Sequence, residues 1–175
     1  VSLSSKVQEY LDHLLTDECY DNHQLQLNVV LKKLGLLFAE AEFVDPAISG
    51  MIYAKNGVYT VYVNRRHSQT RKRFTAAHEV GHYISAQCDS LSKVQLSQEG
   101  FKDYVVSFRK DGICSEAETE ANEIAAQMLM PEKWVKQFLD MNLNIEQMAN
   151  NFFISESAMT VRVEKLVFNS GNYLL

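Results

Sequence analysis

The sequence predicts an α+β fold, with helices first, a small antiparallel sheet next and helices again at the end. Three observations carry that expectation. Apolar residues recur at helical spacing on both sides of a central stretch, as in Val7, Leu11, Leu14 and Leu15 near the start. The central stretch reads as strands and holds Asn56-Gly57, whose tolerance of positive φ suits a tight two-residue hairpin. Only two prolines, Pro46 and Pro131, interrupt the chain, and there are no repeats or low-complexity tracts.

In order, residues 4–15 read as an amphipathic helix, and 25–34 as a second, stopped by Gly35. Residues 36–43, 50–54 and 58–64 read as strands. The last of these is either an edge strand that an extended peptide could join or an inner, covered strand. A helix follows over 70–87, then a strand or hairpin over 101–108. Residues 115–129 read as a long helix ended near Pro131, and shorter helices follow at 132–139, 145–151 and 156–167. The 175 residues, 46% hydrophobic, suffice for one compact core with a small appended lobe. We therefore divide the chain into a main domain, 1–140, and a helical lobe with helix-turn-helix spacing, 141–175, packed on it.

The bulk chemistry excludes several functions. A net charge of −5 gives no field drawing the molecule to nucleic acid or anionic lipid. Charges in the last helix nearly cancel (Glu156, Arg162, Glu164, Lys165), and Met159, Val163 and Leu166 make an ordinary core stripe, so DNA binding is not expected. Cys19, Cys88 and Cys114 are odd in number and far apart, which fits a reducing compartment rather than a disulfide framework. The amino-terminal residues lack a signal-peptide core, and no run is long enough to span a bilayer, so a cytoplasmic protein is expected.

The most specific signal is His78-Glu79-Val80-Gly81-His82. On a helix, residues four apart share a face, so the two imidazoles can converge on one metal ion. Glu79 stands beside them as a general base for water, the protein half of a zinc hydrolase. Gly81 in mid-helix costs about 1 kcal/mol against Ala, which points to close packing by another backbone.

A third ligand is needed, and no histidine follows His82. Glu118 is the first choice and Glu120 the alternative; Cys88 and Cys114 fit the role of buried free thiols better. Glu118 shares a helical face with Asn122, whereas Glu120 lies about 200° round from Glu118. Asn122 could hold a ligand histidine by its second nitrogen. Against this, Ser115 and Glu118 also make a capping box. Tyr83, Tyr104 and His67 are candidates, by chemistry alone, for stabilising an oxyanion. Arg65, Arg66, Arg71, Lys72 and Arg73 cluster where cations oppose the helix dipole, as a solvated helix start or a seat for an acidic substrate segment.

Arg73-Phe74-Thr75-Ala76-Ala77-His78-Glu79-Val80-Gly81-His82 resembles the signature of the ImmA/IrrE metallopeptidases. Glu118-Thr119-Glu120-Ala121-Asn122, followed by Ala125-Ala126-Gln127-Met128-Leu129-Met130-Pro131, is similar to that family's second conserved segment, with Ile124 where Phe is usual and Met128 where Leu is usual. The resemblance covers residues 25–166. It implies a zincin-like, gluzincin-type core, with one Zn²⁺ per chain held by His78, His82 and Glu118. It further implies a cytoplasmic, mobile-element type of protein whose protein substrate is a helix-turn-helix repressor or antitoxin. A non-proteolytic regulator that inactivates a repressor by docking is the alternative; an intact Glu79 favours the enzyme.

Overall fold

The computed structural model describes residues 3–88 and 116–169. Helix α1 (Ser5–Leu14) starts where the Ser4 side chain accepts the Val7 N–H, and it buries Val7, Leu11 and Leu14. A 3₁₀ turn (Asp17–Cys19) leads into a short hairpin, β1 (Tyr20–Asp21) and β2 (Gln24–Leu25). Its turn residues Asn22 and His23 both have positive φ. The sequence reading assigned Leu25 to a helix instead. Among these residues only Asn22 favours such a turn, so local propensity could not reveal the hairpin. Helix α2 (Leu27–Leu34) then ends at Gly35, in the left-handed region as anticipated.

Strands β3 (Leu37–Ala41), β4 (Gly50–Lys55) and β5 (Val58–Asn64) form one sheet in the order β3-β5-β4. The Asn56-Gly57 turn joins β4 and β5, with φ of 52° and 76°. One expectation is corrected here: the sheet is mixed rather than antiparallel, because β3 runs parallel to β5, pairing Leu37 with Thr60 through Ala41 with Asn64. Of the two readings of β5, the inner one holds, since it is the central strand. The alternation of β5 signals a half-buried strand but carries no information about which distant segment fills its second edge.

Helix α3 (Gln69–Gln87) crosses the molecule beside this sheet and packs along α4 (Glu116–Leu129). Val80 and Ile84 from α3 meet Val61, Val63, Ile124 and Met128 in a shared core. Because α3 is enclosed, its buried polar residues must find protein partners. Lys72 Nζ donates to Glu40 Oε2 at 2.8 Å, and Ser85 Oγ donates to Glu120. Within the basic cluster, Lys72 is buried against Glu40 and Arg73 reaches the Leu25 carbonyl, which ties α3 to β3 and β2. Arg65, Arg66 and Arg71 stay exposed, Arg66 near the Glu42 carboxylate and Arg71 on Ser49 Oγ, as a solvated helix start does.

Helices α5 (Glu132–Asp140), α6 (Ile145–Phe152) and α7 (Glu156–Asn169) complete the described chain. A reciprocal Asn144–Gln147 cap starts α6. Arg162 on α7 is almost fully buried, donating to the Met130 carbonyl and to Glu123 Oε1 at 2.9 Å on α4. The 101–108 strand, Cys114, Tyr104 and the Ser115 cap lie outside the described residues.

Candidate metal centre

Histidines 78 and 82 stand one turn apart on the α3 face that meets α4. Their Nε2 atoms are 3.0 Å from each other. Glu118, from the first turn of α4, spans the pair: its Oε2 lies 3.2 Å from His78 Nε2 and its Oε1 3.0 Å from His82 Nε2. The three side chains could hold a metal ion, with all potential ligand atoms within 4.8 Å of one another. Two imidazoles and a carboxylate form a donor set suited to zinc.

The gap between α3 and α4 is set by Gly81. A Cβ there would lie 2.7 Å from the Ala121 carbonyl oxygen and 3.1 Å from the Ala121 Cα. The passing backbone that a mid-helix glycine suggested is thus that of Ala121. One residue further on, Asn122 Oδ1 lies 3.0 Å from His78 Nδ1. That contact makes Nδ1 the protonated nitrogen and leaves the Nε2 lone pair facing His82 and Glu118. Glu120, by contrast, is buried and accepts from Ser85, three residues past His82. Its rotation from Glu118 takes it out of the ligand group, though its charge still reaches His82, and its pairing with Ser85 was not revealed by spacing alone.

Glu79 is 3% exposed. Burial pushes its carboxyl well above the ordinary range, the neighbouring Glu118 charge adds to that, and a backbone hydrogen bond from Ile52 opposes it. Its Oε2 is buried without a hydrogen-bond partner. A partnerless oxygen beside a three-ligand cluster fits a group built to meet a water or substrate atom there. For His82, burial lowers the pKa while the hydrogen bond to Glu118 raises it, and burial prevails, which keeps the imidazole in its ligating, neutral form.

Of the other named candidates, Tyr83 packs edge-on against Tyr59 of β5, with ring centroids 5.4 Å apart. His67 precedes α3, and its charged neighbours are Arg71 and Lys72 in the first turns of that helix. No helix among the described residues is long and apolar enough to cross a membrane.

Compared with known proteins, residues 31–164 match the sequence profile of the IrrE N-terminal-like domain, a peptidase family. That span includes β3 to β5, the His78–His82 helix and the Glu118 helix. No curated protein matches the chain.

Proposed function

Because this chain belongs to the IrrE N-terminal-like domain family of peptidases, with its zincin-like fold, we propose that it is a zinc-dependent endopeptidase acting on a regulatory protein. The observation that carries this reading is the partnerless Glu79 Oε2 beside the His78, His82 and Glu118 cluster. A site that only held a structural metal would have no need of a buried, uncompensated carboxylate.

His78 and His82 would hold zinc through Nε2, and Glu118 through its carboxylate. When bound there, zinc supplies Lewis-acid chemistry, polarising the scissile carbonyl and making water a stronger acid. Asn122 keeps the His78 ring turned with Nε2 toward the cluster. Glu79 Oε2 takes the proton of the attacking water and delivers it to the leaving amine. The substrate lies extended along β4. Among the described residues β4 pairs on one side only, with β5, and its Ile52 backbone already meets Glu79. The regulator is of the helix-turn-helix repressor or antitoxin type, a class supported by the resemblance of the two sequence segments.

A library of quenched fluorogenic peptides incubated with the zinc-loaded protein tests the activity. Internal cleavage that a chelator stops and added zinc restores is the expected outcome. An absence of hydrolysis by fully zinc-loaded protein, with both this library and a panel of helix-turn-helix repressors, overturns the reading.

A further inference from the structure

Thr75 and Glu79 are one turn apart on α3, so their side chains share a face. Both lie against Gly50, the first residue of β4. A Cβ on Gly50 would run into the Thr75 Cγ2 methyl, would stand 2.8 Å from the Tyr62 carbonyl oxygen on β5, and would lie 3.5 Å from Glu79 Oε1. Gly50 is buried and is not one of the positive-φ glycines. What the position requires of glycine is therefore space, not backbone freedom.

The strand cannot swing outward to make room. Just before Gly50, the Ser49 carbonyl accepts the Asn64 N–H at 2.8 Å, and the Ile48 carbonyl accepts Asn64 Nδ2 at 3.0 Å. Arg71 Nη2 on α3 holds Ser49 Oγ at 3.0 Å. The start of β4 is thus pinned to β5 on one side and to α3 on the other. Two residues on, the Ile52 backbone stands near enough to the Glu79 carboxylate to favour its charged form. Of the two carboxylate oxygens, Oε1 is the one nearer Gly50, and Oε2 is buried without a partner.

We infer that Gly50 is a positioning residue for Glu79: its bare backbone lets β4 close onto α3, and the closure seats Oε1 and leaves Oε2 presented to the reacting atoms. This rests on the proposed role of Glu79 as general base. A methyl at Gly50 displaces the Thr75–Glu79 face while leaving His78, His82 and Glu118, which meet across the other helix pair, in place.

The test uses the full zinc-loaded chain and its best-cleaved fluorogenic peptide. In Gly50→Ala, zinc affinity by chelator competition should stay within about threefold of the parent, while kcat falls at least tenfold, since misplacing a group by about 1 Å can cost roughly 10²-fold. Adding Thr75→Ser removes the struck methyl and should recover at least about threefold of the lost kcat. Unchanged kcat, a matching loss of zinc affinity, or no recovery overturns the inference. Should Gly50→Ala fail to fold, amide exchange at Ile52 decides: Glu79→Ala should speed it at least about tenfold, as loss of a buried hydrogen bond demands, and unchanged exchange overturns the seating. That readout needs no activity, so it separates failure of the seating from failure of the peptidase reading.

Discussion

Gly81 backs directly onto Ala121, and the contact fixes the separation between the histidine-bearing turn of α3 and the Glu118–Asn122 turn of α4. Both atoms nearest a Gly81 Cβ belong to backbone, which has no rotamer to yield. Gly81→Ala gains about 1 kcal/mol of helix propensity but should lose about 1–3 kcal/mol to overpacking. The variant should melt lower than the parent and bind zinc at least about tenfold more weakly, since ligand geometry is set across this gap. A calorimetric scan with chelator competition checks both; undiminished zinc affinity would disconnect the contact from the metal centre.

Asn122→Ala should weaken zinc binding about 10- to 100-fold, the usual effect of removing a partner that orients a ligand histidine. The fold should survive, because Asn122 is only half-buried. If zinc affinity is unaltered, His78 is oriented by something other than this 3.0 Å contact.

Glu118→Gln should lose zinc far more than Glu120→Gln does. Only Glu118 touches both Nε2 atoms, while Glu120 accepts from Ser85 and a glutamine oxygen can do the same. Elemental analysis after dialysis distinguishes them. Equal losses, or the reverse order, would move the ligand role to Glu120.

Glu79→Gln should keep zinc and partner binding yet lower peptide hydrolysis by about 10²–10⁴-fold, the range for removing a general base. In cells, control of the target regulator should fail while pull-down of the partner persists. Wild-type regulation by this variant, with the partner intact on a gel, would favour a docking role over catalysis.

The same substitution has a pH signature in the metal-free protein. Glu79 has a folded pKa raised above its unfolded value, first by burial and then by Glu118. Its protonated form therefore favours the fold below the unfolded pKa, and that contribution fades as pH rises through the folded one. Glu79→Gln, neutral throughout, should melt higher than the parent at pH 8, by roughly 2–4 °C for about 1 kcal/mol in a chain of this size. At pH 4 the difference should shrink toward zero. An advantage that grew on acidification would contradict the assigned sign.

The sequence by itself determined the helix-strand-helix order, most element boundaries and the pairing of the two histidines on one helix face. Helical spacing put His78 and His82 on one face, because that period is a property of the local backbone. Asn56-Gly57 likewise announced its own turn, since positive φ is a local demand. Gly81 announced a close neighbour, but only the fold named it as Ala121. Tertiary structure alone decided that β5 is central and flanked by a parallel β3, that Lys72 and Arg73 are spent on internal tethers, and that Glu120 turns to Ser85 while Glu118 spans the histidines. Each of those outcomes depends on which distant segment packs against a given face. Strand edges and buried side chains take whatever partner the assembled core brings, and no local pattern encodes that choice.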